Sequence, residues 1–123
     1  MARILIVDDD YDTAYSYALL LKQWGHETRR AYDGEAVLQQ ALAFEPHAVL
    51  LDIGLPRMDG YEVARRLRQY PHLAGVKIVA VTGLPVDDVD EKKWRDAGFN
   101  EFFTKPIVPQ QMQTFLATLE ESA

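Results

Sequence analysis

Short aliphatic runs alternate with longer amphipathic stretches along this chain. Ile4-Leu5-Ile6-Val7 is a continuous β-branched and aliphatic run, the pattern of a strand covered on both faces. Tyr11 to Trp24 then reads as a helix, with Asp12 or Thr13 near its start and Gly25 just past its end. Glu27 to Tyr32 mixes polar and apolar residues and predicts a weaker strand at a sheet edge. Asp33-Gly34-Glu35 opens a second helix to about Phe44, in which Val37, Ala41 and Phe44 recur at helical spacing, and Pro46 stops it. Val49-Leu50-Leu51 is a buried strand that ends abruptly in Asp52, after which Gly54 and Pro56 break it into a loop closed by Asp59-Gly60.

The alternation continues to the C-terminus. Tyr61 to about Tyr70 forms a third helix with Val63, Ala64 and Leu67 inward and Arg65, Arg66 and Arg68 mostly outward, as a solvated face. Val76 to Val81 is the next buried strand and ends at Thr82-Gly83. Asp87 or Asp88 starts a fourth helix reaching about Ala97, its apolar pattern thin. Glu101 to Thr104 is a short fifth strand that delivers Lys105-Pro106. Pro109 opens a last helix in which Met112, Phe115, Leu116 and Leu119 form one stripe. Five strand–helix alternations predict an α/β fold: a single flavodoxin-like (βα)5 domain with a parallel sheet of order 2-1-3-4-5 and helices on both faces.

Composition narrows the function. At 123 residues there is room for one domain and one core. The net charge of -6 opposes general affinity for a nucleic-acid backbone, so proteins or cations are the expected partners. No apolar run approaches the roughly 18 residues that a membrane span needs. The chain has no cysteine, which excludes disulfide and thiolate chemistry and agrees with a cytoplasmic setting.

Strand-end residues carry the candidate chemistry. In open α/β sheets ligands bind at the carboxyl ends of the strands, at the point where the strand order reverses. Strand 1 ends in Asp8 and Asp9 and strand 3 in Asp52, so three carboxylates converge on one crevice. They repel one another, and a hard divalent cation answers that repulsion; Mg2+ suits carboxylates, a backbone carbonyl such as that of Gly54, and a phosphoryl oxygen. A carboxylate beside such an ion can attack a phosphoryl group to form an aspartyl-phosphate. Lys105 supplies a second counter-charge and Thr82 a hydroxyl donor at the same edge.

These residues also carry a family resemblance. Asp8-Asp9, Leu50 to Pro56 with Met58-Asp59-Gly60, Val81-Thr82-Gly83 and Lys105-Pro106 together resemble the receiver domain of two-component response regulators, over essentially the whole chain. The resemblance implies that residues 1–123 are a receiver with no output domain in this chain, and that Asp52 is the phosphoacceptor. It assigns Mg2+ to Asp8, Asp9, Asp52 and the Gly54 carbonyl, with Asp9 favoured over Asp8 as the direct ligand. Thr82 and Lys105 would contact the phosphate, the Lys105-Pro106 peptide would be cis, and Thr82 with Phe102 would form the switch. Phe102 stands where many relatives carry Tyr, so it has no phenolic hydroxyl. The implied donor is a sensor histidine kinase or a histidine phosphotransfer protein, and the implied recipient is a downstream protein target or an output domain outside this chain. A phosphorylation-linked dimer is compatible with such a role, and the domain would be no enzyme beyond assisting its own phosphorylation and dephosphorylation. Gly54 and Leu84 supply no group to orient an attacking water, which predicts slow self-dephosphorylation.

Two competing readings remain at this point. A haloacid dehalogenase-like phosphatase also combines Asp, Thr, Lys and Mg2+, and Asp10 stands two residues past Asp8 as that chemistry requires, but Asp52 would then have no role. The other is a receiver-like interaction module that works without phosphorylation. His26, His47 and His72 have no ligand-like spacing and are expected to be incidental, and Trp24 and Trp94 fit core or surface equally.

Overall fold

The computed structural model describes residues 1–54, 59–83 and 91–121. Its elements run β1 (Arg3–Val7), α1 (Tyr11–Gln23), β2 (Glu27–Ala31), α2 (Gly34–Phe44), β3 (Ala48–Asp52), α3 (Gly60–Arg68), β4 (Lys77–Thr82), α4 (Glu91–Ala97), β5 (Glu101–Thr104) and α5 (Pro109–Glu121), with one 3-10 turn at Pro71–Leu73. The strands form one parallel sheet of order β2-β1-β3-β4-β5, as the alternation predicts. The mixed β2 segment is an edge strand, where polar side chains meet water. The start expected for α4 at Asp87 or Asp88 lies outside the described residues.

Continuous aliphatic runs form these strands because each strand feeds two cores. Leu5, Val7, Val49, Leu51, Ile78 and Ala80 join one cluster with residues of α2, α3 and α4. Ile4, Ile6, Ala48, Leu50, Val79 and Val81 join the other with residues of α1 and α5. Successive side chains point to opposite faces, and both faces are covered, so between the charged residues that open β1 and β4, Arg3 and Lys77, and the rim the positions of β1, β3 and β4 are apolar.

Local chemistry sets the helix boundaries, and two boundaries and one side chain depart from expectation. Asp10, not Asp12 or Thr13, caps α1: its carboxylate accepts from the backbone N–H of Asp12 and Thr13 and from the Thr13 hydroxyl. Helix α3 ends at Arg68, short of Tyr70, because Pro71 opens the 3-10 turn and its ring clashes with a continuing helix. Arg68 is not part of the solvated face. Arg65 and Arg66 are exposed and pair with Glu62, whereas Arg68 folds back onto the Leu73, Ala74, Val76 and Gly98 carbonyls and the Asn100 side chain.

Two histidines expected to be incidental hold the start of β1. The Ala2 N–H donates to His26 Nδ1 at 3.0 Å, and the Arg3 N–H donates to His47 Nδ1 at 2.9 Å. Protonation of Nδ1 removes the acceptor. Partial burial, then the nearby Arg3 and the N-terminal amine, lower the His47 pKa from its ordinary 6.5. The unfolded chain therefore binds more protons at this residue. Its contribution to stability is complete above about pH 6.5 and is lost as the pH falls through the lowered folded value. An NMR titration is expected to give a His47 midpoint below 6.5, with stability declining on acidification; a midpoint at or above 6.5 contradicts this account.

Candidate functional site

The rim of the sheet is built by three strand ends in register. Val7 pairs with Leu51 and Asp52 with Val81, so Asp8, Asp52 and Thr82 emerge side by side where β1, β3 and β4 finish. All three are buried, at 2%, 8% and 3% exposure, which for the two carboxylates is unusual and demands a partner. The partner is Lys105, carried in just past β5, whose backbone N–H donates to the Thr82 carbonyl at 2.7 Å. Its ammonium lies 2.9 Å from Asp8 Oδ2 and 3.0 Å from Asp52 Oδ2. The Lys105-Pro106 peptide is cis, as the resemblance implies.

Backbone donors occupy the other carboxylate oxygens. Asp8 Oδ1 accepts from the Asp10 N–H at 2.9 Å, and Asp52 Oδ1 accepts from the Gly54 N–H at 2.8 Å. Asp9 is different: it is exposed, and among the described residues no hydrogen bond or ion pair engages its carboxylate. Asp8, Asp9 and Asp52 each offer one oxygen, and these oxygens all lie within 4.8 Å of one another. Three carboxylates face one ammonium, which leaves the cluster short of positive charge. Burial raises the Asp8 pKa, with the Asp10 N–H and Lys105 opposing and the Asp52 charge adding to it. Burial pulls the Lys105 pKa down, but its hydrogen bonds to Asp8 and Asp52 outweigh that, so the pKa is raised and the lysine stays charged. An all-oxygen cluster with one solvent-facing carboxylate fits a hard divalent cation.

Not every candidate residue joins this cluster. Asp10 does not: its carboxylate faces the first turn of α1, and the Thr13 hydroxyl and the Thr13 and Asp12 N–H groups hold its pKa low. The second aspartate of a dehalogenase-type phosphatase is thus committed to a helix cap. Phe102 lies on β5, half-buried against the α2/α3/α4 core. Its ring packs on Trp94 of α4, with centroids 6.2 Å apart and planes tilted by 31°. No sequence periodicity links residues 94 and 102, which sit on different elements, so this pair is visible only in three dimensions. Leu84 lies outside the described residues.

Comparison with known proteins agrees with this geometry. A family model described as the response regulator receiver domain matches residues 4–117. Protein PilH of Pseudomonas aeruginosa is 31% identical over 120 residues, covering 97% of this chain and 95% of that protein. RpaA of Synechocystis, a DNA-binding dual master transcriptional regulator, is 31% identical over 112 residues, and MtrA of Mycobacterium tuberculosis, a DNA-binding response regulator, is 36% identical over 110. The chain spans only 46% of the length of each of these two. Among solved structures, a CheY-like receiver domain protein from Methanospirillum hungatei superposes with a TM-score of 0.86 at 28% identity, covering 98% of this chain and 95% of that one. Chemotaxis protein CheY4 of Vibrio cholerae shares the fold, with a TM-score of 0.88 at 23% identity. A sheet of order β2-β1-β3-β4-β5, an acidic rim neutralised by one lysine, and a family match over nearly the whole chain place this protein in the response regulator receiver family, the phospho-accepting signalling domains of two-component systems.

Proposed function

We propose that Asp52 is the phosphoacceptor, that Asp8, Asp9 and the Gly54 carbonyl hold Mg2+ beside it, and that the donor is a phosphohistidine on a sensor histidine kinase or a phosphotransfer protein. In the transfer an Asp52 carboxylate oxygen forms a bond to phosphorus, the phosphorus–nitrogen bond of the donor breaks, and the departing imidazole keeps the electron pair and takes up a proton. The observation that carries this reading is the Lys105 ammonium, bridging Asp8 and Asp52 at 2.9 and 3.0 Å next to the unengaged Asp9. Lys105 neutralises Asp52 before transfer and can follow the negative charge onto the phosphoryl oxygens afterwards. When bound, Mg2+ supplies Lewis-acid stabilisation of that charge. The Gly54 N–H, at 2.8 Å from Asp52 Oδ1, holds the carboxylate in place.

Incubation with acetyl phosphate and Mg2+, read on a phosphate-retarding gel, tests the assignment. Wild type is expected to shift, hydroxylamine to erase the shift as it does for an acyl phosphate, and Asp52→Asn to show none. A shift that persists in Asp52→Asn refutes it.

Phosphorylation adds about -1.5 to -2 charges and new acceptor oxygens beside Thr82. The Thr82 hydroxyl then has an acceptor to turn toward, and Phe102 on the neighbouring strand follows by repacking against Trp94. The surface formed by α4, β5 and α5 changes shape, and a downstream target or an output domain reads it. Gly54 presents no side chain, and a Cβ there would lie 3.4 Å from Asp52 Oδ1. With nothing at that position to orient water, the phosphorylated form is expected to persist for minutes or longer in buffer with Mg2+; decay within seconds contradicts this.

A further inference from the structure

At the opposite end of the sheet, where the strands begin, lies a cavity of about 350 Å³ that the phosphoacceptor reading does not use. Arg3, His47, His72 and Lys77 line it, against one carboxylate, Glu45. In a chain of net charge -6, two full cations, Arg3 and Lys77, beside two imidazoles and against one carboxylate run against the average. Arg3 spends only Nε, on the Glu45 carbonyl at 2.9 Å, and among the described residues neither Arg3 nor Lys77 pairs with a carboxylate. The lowered pKa of His47, caused by burial, then Arg3 and the N-terminal amine, is consistent with a positive field there. The floor is apolar: Leu73 and Val76, at 2% and 8% exposure, form part of it.

We propose that this cavity binds a small amphipathic organic anion, a carboxylate or phosphate monoester carried on an aromatic or short aliphatic body. Arg3 and Lys77 flank the anionic head, the guanidinium offering a planar pair of donors and the ammonium a compact charge. His47, whose Nδ1 is already an acceptor for the Arg3 N–H, has its Nε2–H as a donor in the neutral ring. Leu73 and Val76 meet the apolar body, the division of labour usual in small-molecule sites of this size. The strands place the cavity roughly 16 Å from the acidic rim, so it is separate from the metal and phosphoryl chemistry.

The test follows the histidine ring resonances by NMR, without Mg2+ and at constant ionic strength, while phenyl phosphate, benzoate or inorganic phosphate is titrated in. Phenyl phosphate or benzoate is expected to shift His47 and His72 saturably and to leave His26 unmoved, and the tighter of the two identifies the head group. Inorganic phosphate, lacking the apolar body, is expected to bind more weakly. Lys77→Gln is expected to weaken binding about tenfold with the backbone spectrum otherwise preserved, the effect of removing one charged donor. Shifts that never saturate, inorganic phosphate binding as tightly as phenyl phosphate, or unchanged affinity in Lys77→Gln would each overturn the proposal. None of these outcomes depends on whether Asp52 accepts phosphate.

Discussion

Asp9→Asn is expected to abolish the dependence of phosphorylation on Mg2+ and to leave the fold intact. Asp9 is exposed and unengaged among the described residues, so its loss removes no packing and no internal hydrogen bond. Asp8 and Asp52 are already neutralised in part by Lys105, and each has a backbone N–H on its other oxygen. Among the described residues the exposed carboxylate is the one group in the cluster whose charge no protein donor answers, and a cation answers it best. Metal stabilisation of transferring phosphoryl charge is worth several kcal/mol, so the labelling rate with acetyl phosphate is expected to fall about 100-fold or more. Thermal denaturation provides the second readout. Mg2+ should raise the melting temperature of wild type by mass action and leave that of Asp9→Asn unchanged. In Mg2+-free buffer the variant should melt at or above the wild-type temperature, because one of three mutually repelling charges is gone. An Asp9→Asn protein that responds to Mg2+ as wild type does would remove Asp9 from the metal site.

The largest loss of stability is expected from Arg68→Ala. The guanidinium donates to the Val76 carbonyl at 2.6 Å, the Gly98 carbonyl at 2.8 Å and Asn100 Oδ1 at 2.6 Å, with longer bonds to Leu73 and Ala74. Asn100 in turn accepts from the Ile78 N–H and donates its own backbone N–H to the Ile78 carbonyl. One side chain thereby ties the end of α3 to the start of β4 and to the joint between α4 and β5. Gly98 completes the fit: it has φ +105°, and a Cβ there would lie 2.8 Å from Arg68 Cγ. Truncation leaves several partly buried carbonyls without a donor, a cost of about 2–4 kcal/mol. For a domain of this size that lowers the melting temperature by roughly 10 °C. Arg68→Lys should recover only part of the loss, since a single ammonium cannot reach the acceptors that Nε, Nη1 and Nη2 serve from different edges of the planar guanidinium. A destabilisation below about 1 kcal/mol would show that water replaces these bonds without penalty.

The two predictions draw on different sources. Asp9 was legible because it belongs to a strand-end pattern: an aliphatic run long enough to cross a covered sheet, then a carboxylate where the strand meets the rim. The same logic located Asp8, Asp52, Thr82 and Lys105, and the alternation of strands and helices set the sheet order. Arg68 was not legible. Its neighbours Arg65 and Arg66 face solvent and pair with Glu62, and the segment Arg65-Arg66-Leu67-Arg68 does not show which arginine finds acceptors within the fold. What distinguishes it is a set of carbonyls contributed by residues 73, 74, 76 and 98, which only the folded chain assembles. His26 and His47 were missed for a similar reason, because their acceptor role depends on backbone N–H groups more than twenty residues away.

From sequence alone came the two-faced core, the order of the strands and the set of residues delivered to the rim, because hydrophobic period and strand length are properties of neighbouring residues. Tertiary structure decided how those residues share charge. It set one ammonium between Asp8 and Asp52, left Asp9 open to solvent and committed Asp10 to a helix cap. It also brought Trp94 against Phe102 and gathered Arg3, His47, His72 and Lys77 around one cavity. Contacts of this kind form between elements far apart in the chain, and their energies depend on burial and distance, which no local pattern encodes.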